Sequence, residues 1–312
     1  MPTSRVVNRT AAAAVLLSAL GSALVRGQTP RPNPPAESAE APATRNPGNT
    51  AWASSLAEAR QTAKAEKKLV FHEFISAGCG QCRRMEALLY PAFDFEALLI
   101  GMVPVQVDIE SPDGKALADR YGITETPSVL ITNPSGRLAF LMQGFKDAPD
   151  FYQHAHADLN AYRKFARQID AQDVATLPAA EAYATGRDLF TRYDYEGAAA
   201  RLERAAAAAG SNLDLREKAL MGVSAAERQL GHYAAARKAA EKVVATTKNP
   251  DQKEQAELAI AEIALADNRL GEALDDYHRF AREHPNSPYI EKVRGFISKL
   301  EAAKAAASAP KS

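Results

Sequence analysis

The spacing of apolar and polar residues changes along the chain, and each change marks an element. Leu69 to Ile75, LVFHEFI, reads as a buried strand; Ser76-Ala77-Gly78 makes a turn; and Arg83 to Leu89 carries helical apolar spacing. A helical pattern opens at Trp52 and runs through Leu56, Ala59 and Ala63 to Lys67-Lys68. Val103 to Asp108, Val129 to Ile131 and Leu138 to Met142 read as further strands, with a short helix and turn over Leu117 to Ile123. Beyond residue 177 alanine rises, strand formers thin out and only helical periodicity remains. The pattern predicts an α/β domain, a central mixed sheet flanked by helices, followed by an all-α region.

The all-α region repeats. Tyr195-Glu196-Gly197-Ala198, Tyr233-Ala234-Ala235-Ala236 and Leu270-Gly271-Glu272-Ala273 align, with the key alanines at 198, 236 and 273 spaced by 38 and 37 residues. Gly186, Leu189, Leu202 and Ala205 fit the first unit; Ser224, Ala240 and Val243 the second; Ala261, Tyr277, Phe280 and Pro285 the third. This resembles a tetratricopeptide-like array of helical hairpins, closed by a last helix over about 288–303. The spacing exceeds the ~34 residues of a standard repeat, which implies longer turns between units.

The chain has two cysteines, Cys79 and Cys82, spaced C-x-x-C between the first strand and the helix after it. At a helix N-terminus, unpaired N–H groups and the helix dipole favour a thiolate, the form that attacks disulfides. Cys79 is therefore the candidate nucleophile. Cys82, about one turn on, can resolve a mixed disulfide by closing a small ring. Glu73, six residues before Cys79, is the candidate proton acceptor for Cys82; the alternative is a solvent-facing acid on an edge strand. Half of a zinc site is the competing reading of the cysteines, but structural zinc needs four ligands and no second cysteine pair or close histidine pair exists. His154 and His156, at i and i+2 of a helix, face different directions. No metal and no cofactor beyond the dithiol are expected.

With these residues in place, 51–168 resemble the thioredoxin-like domains of extracytoplasmic proteins. The resemblance extends to Tyr121-Gly122-Ile123, to Thr126-Pro127 ahead of the next strand, and to Gly144 after Leu138–Met142. It implies that Pro127 is cis and packs on the disulfide, and that the backbone of Thr126 pairs with an extended protein substrate beside Gly80 and Gln81. An ordinary strand-opening proline is the alternative, since X-Pro bonds are cis in only ~5% of folded cases. The chain departs from thioredoxin in having Gly78 before the first cysteine, Gly80-Gln81 between the pair, and Pro104 where thioredoxin has a lysine. Arg83 and Arg84 either favour the thiolate and steer acidic partners or form a solvated helix face.

Arg5 and Arg9 precede the apolar stretch from Ala11 to Val25, which reads as a signal peptide over 1–27, with an uncleaved membrane anchor as the alternative. Export fits a chain whose only thiols are one C-x-x-C pair. The charge is balanced, 38 basic against 38 acidic side chains, and losing Arg5, Arg9 and Arg26 leaves a formal −3. No nucleic-acid surface is implied. Six prolines in 28–50 mark a spacer that cannot bury a core. The organisation predicted is 1–27 signal, 28–50 linker, 51–170 thioredoxin-like domain, 178–305 repeat domain and 306–312 tail.

Two functions follow from different classes. One is an exported thiol–disulfide oxidoreductase, periplasmic or secreted, acting on protein thiols and disulfides, whose repeats hold a protein or peptide partner. The other is an envelope scaffold whose repeats matter and whose dithiol is vestigial or structural. The sequence leaves the direction of exchange open.

Overall fold

The computed structural model describes residues 51–91 and 93–308. The expected signal peptide 1–27 and linker 28–50 lie outside the described residues. Twelve α-helices and one four-stranded sheet are present among the described residues, in two compact units divided between Ala226 and Glu227.

The first unit is built on a sheet of order β2-β1-β3-β4. Strand β1 (Leu69–Ile75) pairs in parallel with β2 (Met102–Asp108) and antiparallel with β3 (Ser128–Thr132), which pairs antiparallel with β4 (Leu138–Gln143). Helices α1 (Leu56–Glu66), α2 (Gly80–Leu89), α3 (Phe93–Leu99), α4 (Pro112–Tyr121) and α5 (Ala148–Asp170) flank it. Two cores result, one on each face. Phe71, Val129 and Ile131 join Met85, Leu89, Phe95, Phe151 and Leu159 on one side. Val70, Phe74 and Leu130 join Ala59, Ala63, Leu117 and Tyr121 on the other.

Trp52 does not open the first helix, as the sequence pattern suggested. Ser55 caps α1 by accepting from the Glu58 N–H, and the residues before it run extended along the edge of β2. Ala53 bridges Val105 and donates to the Pro104 carbonyl at 2.8 Å. Proline suits that edge, because the N–H it lacks would point away from β1. Trp52 is thereby free to pack on Phe71 and Tyr90, with ring centroids 6.1 and 5.8 Å away.

The first helical hairpin, α6 (Ala179–Thr191) and α7 (Tyr195–Ala208), belongs to the same unit as the sheet. Leu138 at the start of β4 donates its N–H to the Arg192 carbonyl at 2.8 Å, and Arg120 donates to the Tyr193 carbonyl at 2.9 Å. Arg137 is buried and bonds Asp194 at 2.7 Å and Asp170 at 3.2 Å. Within the hairpin, a Cβ at Gly186 would lie 2.8 Å from Leu202 Cγ, so only glycine allows α6 to approach α7 this closely. Leu202 meets Gly222 of α8 (Leu213–Gln229) in the same way, at 2.9 Å.

The second unit holds α9 (Tyr233–Thr246), α10 (Pro250–Ala266), α11 (Leu270–Glu283) and α12 (Ile290–Ser308) around Ala261, Ala264, Ala273, Tyr277, Phe280, Val293 and Leu300. Residues 306–308 of the expected tail continue this last helix. The recurrence read from sequence has a backbone counterpart: Tyr193, Gly231 and Asn268 all adopt positive φ two residues before α7, α9 and α11 begin. The extra length per repeat is not in the turns. Turns of three or four residues join all six helices from α6 to α11, whereas α8 and α10 have 17 residues against 13 in α6.

The sheet carries a buried imidazole on β1. His72 is 1% exposed and donates Nδ1–H to the Leu130 carbonyl at 3.0 Å, while burial pushes its pKa down to about 4. Between pH 6.5 and 4 the unfolded chain takes up a proton that the folded imidazole refuses, so the contribution of His72 falls with pH. Over that window the stability difference between wild type and His72→Leu should shrink or reverse by about 3 kcal/mol, measured as urea unfolding at each pH. An unchanged difference would mean that His72 is not buried neutral. Separately, Asp194→Ala leaves Arg137 with only the exposed Asp170 carboxylate and should cost about 3 kcal/mol. Equal denaturant midpoints would show the clamp to be idle.

Candidate functional site

The site grows from the turn after β1. Gly78, at φ +74°, takes a left-handed conformation that a residue with a side chain would adopt only under strain. Cys79 donates its N–H to the Ser76 carbonyl at 3.2 Å, which closes the turn and delivers Cys79 to the N-cap of α2. Its sulfur accepts the Cys82 N–H at 3.0 Å, so one of the orphan amides of the helix start is spent on Sγ itself. The two sulfurs are joined in a disulfide with Cα atoms 5.3 Å apart. Cys79 is half-buried and Cys82 is 4% exposed. Gly80 and Gln81, between them, are exposed. Such a pair can present one sulfur to a partner while sheltering the other.

Glu73 is not on an edge strand: β1 lies between β2 and β3, and the residue is 0% exposed. It shares a strand face with Phe71, whose neighbours in the core include Met85 and Leu89 of α2, so its carboxyl is directed at the helix that begins with the cysteines. Burial pushes its pKa up to about 7; hydrogen bonding by Tyr90 and Gln106 opposes the rise, and the Glu86 carboxylate adds to it. Gln106, the residue paired with Glu73 across the β1–β2 ladder, donates Nε2–H to Oε2 at 3.0 Å. Tyr90, at the end of α2, brings its hydroxyl near the carboxyl, yet neither Glu73 Oε1 nor Tyr90 Oη completes a hydrogen bond of good geometry. A carboxyl in this state can hold or release a proton near neutrality.

The Thr126–Pro127 peptide bond is cis. Its loop is tied to the cysteine turn by the hydroxyls of Ser76 and Thr126, 2.8 Å apart, so the two segments form one surface. Gly144, at φ +75°, lies beside Glu125 of the same loop. Arg84 stacks over Phe145 at 4.8 Å and is otherwise exposed, as is Arg83. His154 and His156 are exposed, and His154 bonds the Asp150 carbonyl one turn back at 2.7 Å.

Gln106 and Tyr90 were not singled out in the sequence. The signal for Gln106 is a polar residue in an otherwise apolar strand, and it becomes legible only once β1 and β2 are set in register. Tyr90 follows the helix directly and reads as ordinary core.

No helix among the described residues is long and apolar enough to cross a membrane. Residues 56–157 match the family model described as a thioredoxin-like domain. None of the curated proteins compared matches the chain. Among solved structures, a thioredoxin from Thermus thermophilus is similar at 22% identity, over 35% of this chain and 85% of that one, with a TM-score of 0.32. A DsbH oxidoreductase is similar at 19% identity, over 39% and 95%, with a TM-score of 0.32. The C-terminal domain of Neisseria meningitidis DsbD is similar at 21% identity, over 33% and 90%, with a TM-score of 0.29. With its mixed sheet, its C-x-x-C pair at a helix start and the match of 56–157 to that family model, this chain carries a thioredoxin-like domain.

Proposed function

We propose that this protein is an exported thiol–disulfide oxidoreductase. The observation that carries the reading is the Cys79–Cys82 pair, closed at the start of a helix that packs on the strand bearing a buried, partly unsatisfied carboxyl. In the reductive direction the Cys79 thiolate attacks a protein disulfide, forming a mixed disulfide and releasing one substrate thiolate. Cys82 gives its proton to the Glu73 carboxylate, and its sulfur attacks Cys79 Sγ. The bond from Cys79 to the substrate breaks, and the second substrate sulfur leaves as a thiolate that a proton then neutralises. Two electrons have passed from the dithiol to the substrate disulfide. The same steps in reverse oxidise a dithiol.

In this reading the cis Thr126–Pro127 loop, Gly80 and Gln81 form the rim that an extended substrate meets, supported by the Ser76–Thr126 tie. The tetratricopeptide-like hairpins hold a protein partner or substrate. Export to the periplasm or beyond rests on the Arg5, Arg9 and Ala11–Val25 pattern and on the absence of further thiols.

Cys79→Ser should abolish disulfide reductase activity, while Cys82→Ser should accumulate mixed disulfides on Cys79, seen as adducts that reductant releases. Comparable activity in both variants would sink the enzyme reading. Glu73→Gln should slow the Cys82-dependent step by roughly a hundredfold at neutral pH. The same variant should also be more stable than wild type, and increasingly so as pH rises. Because the folded pKa lies above the ordinary 4.5, Glu73 contributes stability that is intact below pH 4.5 and lost as pH climbs through about 7. The gain should approach about 3 kcal/mol above pH 8, and a gain independent of pH would argue against a buried ionisation.

A further inference from the structure

The Glu73 carboxyl is held unequally. Oε2 accepts from Gln106 Nε2 at 3.0 Å; Oε1, with the Tyr90 hydroxyl near the carboxyl, completes no hydrogen bond of good geometry among the described residues; and the whole side chain is 0% exposed. Among the described residues no lysine or arginine pairs with it, and the groups that face it are few. From α2 come Glu86 and Tyr90; from β2 comes Gln106; and the β3 residue in register is Val129. Tyr152 of α5 reaches Tyr90 and donates its own hydroxyl to the Leu89 carbonyl at 3.0 Å. Every ionisable group in this set is an acid or a phenol, so the only side-chain donor in good geometry is neutral.

We propose that Gln106 is a positioning residue for exchange: it anchors one oxygen of Glu73 and leaves the other to take the proton from Cys82. The proposal rests on Glu73 as the acceptor. A neutral donor at this point has a consequence that a cation would not. An amide fixes the orientation of the carboxyl while stabilising its charged form only modestly, so the group still exchanges a proton near neutral pH. A cation would hold the carboxylate charged, and a charged carboxylate of low basicity is a poor acceptor for a thiol proton. Gln106 is itself half-buried, at a place where a longer charged side chain can reach solvent.

The test uses the full chain, reduced and mixed in a single turnover with dithiobis(nitrobenzoate). Release of the first nitrothiobenzoate reports attack by Cys79 and release of the second reports resolution by Cys82, so the two steps are read separately across pH. Gln106→Leu removes the hydrogen bond and should move the midpoint of the second phase to higher pH, with a roughly tenfold loss below the midpoint that alkali recovers. Gln106→Lys introduces a cation and should move the midpoint the opposite way. The first phase should keep its rate in both. A purely structural role for Gln106 would slow both variants at every pH, without shifts of opposite sign. Midpoints that stay fixed, or move together, while Glu73→Gln still slows the second phase would overturn the role of Gln106 alone. If Glu73→Gln leaves the second phase unchanged, the acceptor assignment itself falls.

Discussion

A strand in the middle of a covered sheet has no solvent face, and β1 is such a strand. Its sequence nevertheless places His72 and Glu73 side by side, so period-two alternation sends one polar group into each of the two cores. Neither can reach water, and each must therefore be met by whatever the neighbouring strands hold in register. His72 meets the Leu130 carbonyl of β3 and Glu73 meets the Gln106 amide of β2. Both are pushed toward their neutral forms, the imidazole down to about 4 and the carboxyl up to about 7. In mildly acidic solution an unfolded chain carries a charge at each position. Folding then releases one proton from the histidine and takes up one at the glutamate, so no net proton is exchanged. The two pH dependences oppose each other across the same window, and wild-type stability hides what either single variant would reveal.

In the proposed exchange the same burial also matters to the cysteine pair. A thiol at a helix start gains from the helix dipole whatever lies behind it, but in the proposed exchange a shielded thiol such as Cys82 would lose its proton to something nearby. An exposed carboxylate would be a weak base and a buried, well-paired one a weaker base still. A carboxyl that is dry, anchored through one oxygen and flanked by Glu86 can protonate near neutrality. The destabilisation that Glu73 brings to the sheet at higher pH and its capacity to accept a proton share one physical origin.

Much of this was legible in the sequence. All four strands, the helix start at Cys79, the proline and the alanines of the hairpins are local patterns, and residues 198, 236 and 273 are all fully buried. What escaped was set by pairing between distant segments. Gln106 joins Glu73 only through a parallel register across 33 residues, and Arg137 meets Asp194 across 57. Trp52 was drawn into a helix because an apolar residue four places before Leu56 fits a helical period. A β-bridge at Ala53 and the Ser55 cap override that preference. The longer repeats suggested longer turns because sequence spacing fixes the sum of helix and turn and not how it is divided.

The edges of the sheet show why the first hairpin cannot be treated as an appendage. An uncovered edge offers free N–H and C=O groups to any other strand. Here Ala53 lies along β2, and the turn between α6 and α7 places the Arg192 carbonyl on the Leu138 N–H of β4. That contact needs the turn to be held in place, and the buried Arg137–Asp194 pair does so from beside it. Asp194 also caps α7, accepting from the Gly197 N–H at 2.9 Å. One carboxylate thus starts a repeat helix and pins the repeat to the sheet, so the residues that begin the helical array also finish the thioredoxin-like domain.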